Sequence, residues 1–532
     1  MAEGLDDERL AALAAQLGTS PKQAGQHVGA HLDRLVASQH AWAQRSLALL
    51  TRPIVARTRI VDVDHDALLR LRELGPLVFL PAHRSYADSL ILAAALREAG
   101  LPQPWRLAGE NLSFWPLGAL ARRSATVFIR RDFGRDPAYH LAVRCYLADL
   151  LAHGRSVEWY PEAGRSRTGR LRRLRHGLLR ILVGAYLDSG VADVHVVPVS
   201  IVYDLSPEVE AVTAQDAGEA AKQAEGLRAL IRYLRASRAL GRRTARPAFA
   251  EPISLRELTR TSANARTSAN EWGTARALAR EVARRLREAT PATAESLLTL
   301  ALASGGPAPQ GAASLADEVE QLLDYASDRR IPTCGRPSTE AVLDRMVRAG
   351  VLTRGPDGFT VAPDQQHVAA YYRNTAAHWF MPRAVAELVT YGSASPGRVL
   401  ALLAPLGVMP SSEASERLLE RELAALVDLD RPEREPFLLA PRLLGPIFEA
   451  YHHVAVNADA DSAPPAYWPE SRSAELRDAG IAALAAEGLP APVAYDAAGA
   501  TYASELSQLV TRLRELAEID ARRHAGSAHV RR

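Results

Sequence analysis

The sequence predicts an α/β protein: a mostly parallel sheet flanked by helices, with an N-terminal helical segment before it and a mostly helical C-terminal region after it. Three observations predict this class. Between residues 53 and 252, short apolar runs alternate with stretches of helical periodicity, the pattern of a buried parallel sheet with crossover helices. On either side of that block helical spacing prevails. The chain is 48% apolar and 23% charged over 532 residues, ordinary values for a globular chain of roughly two to four domains.

Taken in order, Leu10, Leu13 and Leu17, then Leu32, Leu35 and Leu47, recur at helical spacing, giving an N-terminal segment over 1–52. The next block supplies four strand candidates: Leu77–Leu80, Thr126–Ile129, Val157–Tyr160 and His195–Tyr203, the last with four valines and an isoleucine. Pro198 lies inside that last run and donates no hydrogen bond, so it marks an edge, a bulge or a boundary in the ladder. Helices are expected over about 86–99, 137–152 and 171–189, and further on over 271–289 and 292–303. The repeated Thr-Ser-Ala-Asn at 261–264 and 267–270 reads as a polar loop insertion. A Gly/Pro/Ala-rich linker over 304–313 separates the α/β block, 53–303, from a helical region over 314–532. Within that region Val351–Val361 reads as a β-hairpin after two helices, as in a winged helix or in a plain helical subdomain.

Composition narrows the function. With 64 basic and 61 acidic residues the net charge is +3, and lysine occurs only at Lys22 and Lys222. The arginine bias reads as genomic, and the balance is not that of a polycation that coats nucleic acid. Cys145 and Cys334 cannot build a disulfide framework or a four-cysteine zinc site. The histidines are scattered, and neither a metal nor another cofactor is expected. The start of the chain is acidic, so no signal peptide is expected. No apolar run reaches the roughly 20 residues that span a bilayer.

Polar groups at the ends of predicted strands are the candidates for chemistry, because ligands of open parallel sheets bind there. His83 follows one strand and precedes a helix, and a histidine titrates near neutral pH. Asp88, in the first helical turn, can reach back to the imidazole and fix its tautomer. Ser85 and Asp88 also fit a helix capping box, which would satisfy backbone donors only. Arg130 and Arg131 end a second strand. Guanidinium forks suit phosphate, although alternation aims only one of the two at any one side. Glu162, Gly164, Arg165, Ser166 and Arg167 lie in a strand-to-helix turn that combines glycine, hydroxyls and arginines, an anion cradle. That turn lacks the ending of a Walker loop.

Together and in this order, these segments resemble the glycerol-3-phosphate acyltransferase family of bacterial phospholipid synthesis. His83 and Asp88 match its H-x4-D motif, and Phe128–Arg131 match F-I-R-R. Glu162–Gly169 match E-G-G-R-S-R-T-G, with Ala163 where the first glycine is usual. Val197–Val199 match V-P-V, and Tyr371–Asn374 followed by His378 are similar to a segment of the C-terminal part of the glycerol-3-phosphate branch. The resemblance spans about 50–390.

The resemblance implies a fatty acyl transfer from acyl-CoA or acyl-carrier protein to the 1-hydroxyl of glycerol 3-phosphate, giving lysophosphatidic acid. His83 is then the general base and Asp88 its orienting partner. Arg131, Arg165 and Arg167, with Arg130, hold the phosphate. Glu162 and Ser166 bind the glycerol or order the arginines, and Gly164 and Pro198 complete the substrate-binding set. Peripheral attachment to the anionic cytoplasmic face of the membrane is expected. Trp105, Phe114, Trp115, Pro116 and Leu117, followed by Arg122 and Arg123, make a candidate interfacial patch or part of the core. The alternatives are 1-acylglycerol 3-phosphate or dihydroxyacetone phosphate as acceptor, a nucleic-acid-binding protein, and a catalytically silent lipid-binding scaffold. The arginines cluster in the α/β turns rather than near the hairpin, which argues against nucleic acid.

Overall fold

The computed structural model describes residues 7–110, 117–130, 136–218, 227–260, 268–303, 308–409, 413–426, 431–456, 467–493 and 497–530. The contacts divide the chain into two compact units. One comprises 1–165, 171–207 and 223–290; the other comprises Ser166–Arg170, 208–222 and 291–532.

The first unit is built on an eight-stranded sheet: β1 (Thr58–Ile60), β2 (Leu77–Pro81), β3 (Trp105–Gly109), β4 (Thr126–Ile129), β5 (Val157–Glu158), β6 (His195–Tyr203), β7 (Arg243–Phe249) and β8 (Ile253–Ser254). The order is β1-β7-β6-β2-β5-β3-β4, with β8 also paired to β6. The pairs from β6 through β4 are parallel, as is β1 with β7, whereas β7 and β8 run antiparallel to β6. The sheet is therefore mixed at one side and parallel over the part that carries the motifs.

Pro198 sits at a boundary rather than at the sheet edge. On one side it faces Leu80 of β2. On the other, β8 pairs with His195 and Val196, and β7 takes over from Val199. The missing N–H thus falls where β6 changes partners, and the Pro198 carbonyl still accepts from Ala250 N at 2.9 Å.

The alternation of β2 distributes its side chains between two cores. Val78 and Leu80 pack with Leu147, Leu151, Leu182 and Val282 from the helices Pro137–Ala152, His176–Ser189 and Ser268–Glu288. Leu77 and Phe79 pack with Leu68, Leu71, Ile91, Leu92 and Leu96 from the helices His65–Arg72 and Asp88–Glu98. Each fully buried side chain of this size stabilises by about 1.5–3 kcal/mol. Burial on both faces explains why β2, β4 and β6 read as continuous apolar runs.

Of the two readings of Trp105 the core one holds: it is a core residue of β3; Phe114, Trp115 and Pro116 lie outside the described residues. Two differences from the sequence reading follow from packing. Of the repeated Thr-Ser-Ala-Asn, Ser268–Asn270 open the helix Ser268–Glu288 rather than a loop, and 261–267 lie outside the described residues. The helix expected from residue 171 begins at His176, and Arg175 N donates to the Pro161 carbonyl at 2.8 Å.

Among its described residues the second unit is mainly helical, with a hairpin of β9 (Leu352–Gly355) and β10 (Gly358–Val361). The 27-residue helix Gln366–Gly392 is buried along most of its length. The apolar helix Ala294–Leu302 packs against it, started by the Thr293 hydroxyl, which accepts from Ser296 N at 3.1 Å. Buried ion pairs fix the helices to one another. Arg442 is held between Asp520 and Glu318, and Arg383 between Glu387 and Glu435. No described helix is long and apolar enough to cross a membrane.

Candidate active site

After Pro81 the chain leaves the carboxyl end of β2 in a turn that ends at the helix Asp88–Glu98. The turn brings His83 Nδ1 to 3.1 Å from Asp88 Oδ2. A carboxylate only accepts, so Nδ1 carries the proton and Nε2 keeps its lone pair. Asp88 is fully buried, and its charge is met by donors: Oδ2 also accepts from Arg84 N at 2.7 Å and Ser85 N at 2.8 Å, and Oδ1 accepts from the Tyr203 hydroxyl at 2.7 Å. One carboxylate thus serves both backbone donors and the imidazole, but the capping box itself does not close, because the helix N-cap is Ala87 and makes no side-chain cap bond. The Ser85 hydroxyl completes the turn by accepting from Ala87 N at 3.1 Å.

The imidazole is held on its face as well. The Tyr160 ring stacks on it, with centroids 4.1 Å apart and planes inclined by 28°. The Tyr160 hydroxyl donates to Glu158 Oε1 at 3.4 Å, and burial next to that carboxylate pushes the phenol well above its ordinary range, so it stays a donor. Burial also raises Glu158, against the opposing pull of Arg106, whose Nε lies 3.5 Å from Glu158 Oε2.

Glu162 engages backbone rather than arginine. Its Oε1 accepts from His83 N at 2.7 Å and its Oε2 from Arg172 N at 2.8 Å, tying the two strand-end turns together. Burial pushes its carboxyl up to about 7, although both backbone donors favour the charge. Next to it, Ala163 adopts φ +52°, the left-handed region where glycine is at ease. This is the position where the resemblance expects glycine. At Gly164 an added Cβ would meet Arg172 Nη1 at 2.5 Å.

Arg165 lies over the Tyr86 ring, 3.9 Å from its centroid, and donates from Nη2 to the Tyr86 hydroxyl at 2.9 Å. Arg130 sits 4.0 Å over the Tyr139 ring, with Nη2 2.6 Å from Asp136. The carboxylate of Asp136 is held below its usual range by that guanidinium and by Tyr139 N, against the effect of its burial. Arg131 lies outside the described residues. The structure therefore brings His83, Asp88 and Glu162 together, sets Arg165 on the same turn through Tyr86, and engages Arg130 with Asp136.

The rest of the turn, Ser166–Arg170, belongs to the second unit. The buried Ser166 hydroxyl donates to the Arg170 carbonyl at 2.7 Å. Asn374 Nδ2 donates to the Thr168 carbonyl at 2.9 Å, and its Oδ1 accepts from Arg170 Nη2 at 3.2 Å. The Thr168 hydroxyl donates to Glu475, and Arg170 Nη1 lies 3.3 Å from the same carboxylate. Gly169 has φ +85°, and a Cβ there would stand 2.1 Å from the Tyr371 carbonyl, so no other residue fits. Arg167 lines a cavity of about 20 Å³, roughly the room of one water, with His367, Asp216 and Glu470.

Sequence reasoning missed Arg84, Tyr160 and Tyr203. Arg84 is buried, with Nη1 3.2 Å from both Ser200 Oγ and the Ile201 carbonyl. Tyr203 and Tyr160 end strand candidates that were already identified, and a polar ring at that point of an apolar run is the signal that could have found them.

Comparison with known proteins agrees with this architecture. Residues 63–202 match the family model described as "Acyltransferase", and residues 217–429 match that described as "Glycerol-3-phosphate acyltransferase C-terminal region". Chains named "Putative acyltransferase plsB1" in Mycobacterium bovis and in two strains of Mycobacterium tuberculosis are 33% identical over 495 residues, covering 84% of this chain and 78% of theirs. Motif order, sheet and sequence similarity agree, and the chain belongs to the glycerol-3-phosphate acyltransferase family, enzymes of acyl transfer in phospholipid synthesis.

Proposed function

We propose that the enzyme transfers a fatty acyl group from acyl-CoA or acyl-carrier protein to the 1-hydroxyl of glycerol 3-phosphate, releasing lysophosphatidic acid and the free thiol. The observation that carries this reading is the 3.1 Å contact between His83 Nδ1 and Asp88 Oδ2, which leaves Nε2 to act as a base. Nε2 takes the hydroxyl proton as the oxygen attacks the thioester carbonyl. The tetrahedral intermediate collapses with cleavage of the C–S bond, and the departing sulfur takes the proton from the imidazolium. Asp88 stabilises that imidazolium and keeps its tautomer. The acyl group passes directly, with no acyl-enzyme and no cofactor.

Arg130, Arg131, Arg165 and Arg167 bind the acceptor phosphate in this reading, since a guanidinium offers two donors to two oxygens. Glu162 holds the His83 backbone in place through Oε1. Gly164, Ser166 and Pro198 shape the binding turns. The enzyme works at the cytoplasmic face of the membrane, where its amphiphilic product belongs.

The test mixes purified protein with palmitoyl-CoA or palmitoyl-carrier protein and each of glycerol 3-phosphate, 1-acylglycerol 3-phosphate and dihydroxyacetone phosphate, and follows free thiol. Release that depends on glycerol 3-phosphate and vanishes in His83→Ala supports the reading. Faster release with either other acceptor replaces the substrate. Full activity in His83→Ala removes the base, and salt-sensitive DNA binding without thioester cleavage overturns the reading altogether.

A further inference from the structure

The helix Ala41–Val55 carries three large apolar residues in water: Trp42, Leu49 and Leu50 are 56%, 67% and 59% exposed. A seven-residue step is about two helical turns, so Trp42 stands above Leu49, with Leu50 beside it. Arg45 and Arg52 repeat at the same step, along one flank of this stripe. Scattered exposed leucines need no explanation. A tryptophan and two leucines aligned on one helix with a flank of arginines do.

Beside that flank opens a cavity of about 370 Å³, between this helix and the helix Asp88–Glu98. Ala48, Leu90, Ala93 and Ala94 make its apolar wall, and Arg45, Arg52, Arg97 and Arg106 its cations; among the described residues no carboxylate lines it. Arg106 has Glu158 3.5 Å away. Among the described residues Arg45, Arg52 and Arg97 make no ion pair. Unneutralised guanidinium groups around an apolar hollow suit a phosphate joined to hydrocarbon.

We propose that this face seats the enzyme on an anionic phospholipid bilayer, with Trp42, Leu49 and Leu50 in the interface and Arg45, Arg52 and Arg97 on lipid phosphates. Tryptophan at headgroup depth and long cationic side chains beside it are the arrangement of an interfacial helix. The inference deepens the reading of an enzyme that makes a membrane amphiphile. It rests on exposure and charge alone, so its failure leaves acyl transfer standing.

The test is flotation of the full chain with vesicles of phosphatidylglycerol or of phosphatidylcholine, alongside thiol release from a short-chain acyl-CoA without vesicles. Binding is expected to phosphatidylglycerol, weakened by salt. Each of Arg45→Gln, Arg52→Gln and Arg97→Gln is expected to lower partitioning ~5-fold, and Trp42→Ala/Leu49→Ala/Leu50→Ala more than 10-fold, with vesicle-free thiol release unchanged. Equal flotation of the wild type and the triple variant would overturn the proposal. So would equal binding to both lipids, or a vesicle-free dimer that Leu49→Ala dissociates, since the stripe would then serve a second copy of the chain.

Discussion

Asn374 joins the two ends of the Thr168–Arg170 stretch, donating to the Thr168 carbonyl at 2.9 Å and accepting from Arg170 at 3.2 Å. Asn374 and Arg170 are both buried, so truncation leaves a buried carbonyl and a guanidinium short of partners. Asn374→Ala should destabilise by about 2–3 kcal/mol, read by urea unfolding. If Arg167 holds the acceptor, the KM for glycerol 3-phosphate should rise while the KM for the acyl donor stays constant. A KM unchanged for both would separate this turn from acceptor binding.

His83→Ala should lower kcat by roughly 10²–10⁴-fold, the range for losing a general base. Asp88→Asn keeps the shape but offers Nδ1 the wrong partner, so a loss of similar size is expected. Tyr203→Phe leaves Asp88 Oδ1 without its hydroxyl donor. The expected outcome is a kcat roughly tenfold lower, the equivalent of about 1.4 kcal/mol, with KM little changed. Steady-state kinetics on correctly folded variants decides each case.

Ala163→Gly should stabilise the protein. The φ of +52° costs an alanine about 1 kcal/mol that a glycine avoids, and the alanine is exposed, so no packing is lost. The denaturant midpoint should move up. A lower midpoint would mean that the glycine's extra freedom in the unfolded chain outweighs the relief.

Glu162 makes stability depend on pH. Its carboxyl titrates near 7 in the folded protein and near 4.5 when unfolded, so the folded state holds the proton more tightly. Stability contributed by this group is present at low pH, falls as pH rises from about 4.5 to about 7, and is level above that. The full change is on the order of 3 kcal/mol. Glu318 behaves in the same sense in the second unit, raised to about 7 by burial. Urea unfolding at pH 5 and pH 7.5 should show a smaller difference in Glu162→Gln than in the wild type, and an unchanged difference would refute the assignment.

The parts of the fold legible in the sequence are those whose cause is local. β2, β4 and β6 are apolar runs because both faces of the sheet are covered, and the carboxylate of Asp88 reaches His83 across only five residues. β7 escaped notice because it reads Arg-Thr-Ala-Arg-Pro-Ala-Phe. Its Arg243 is buried yet satisfied, donating to Thr58, Ser237 and Tyr233 at 3.0, 2.8 and 2.8 Å, and no sequence pattern reveals such partners. β3 was hidden by Trp105, whose neighbours suggested a surface. Glu162 was linked to the glycerol or the arginines by the resemblance, whereas folding gives its oxygens to two backbone amides.

The membership of Ser166–Arg170 in the second unit has a practical consequence for dissecting and recombining this enzyme. The two family models meet between residues 202 and 217, which invites a cut there. A fragment ending at that junction would keep Thr168, Gly169 and Arg170 but lose Asn374, Tyr371 and Glu475. A chimera joining the sheet of one relative to the helices of another would import half of a matched set. The transplantable module is discontinuous, a five-residue turn and the helix Gln366–Gly392 some 200 positions away.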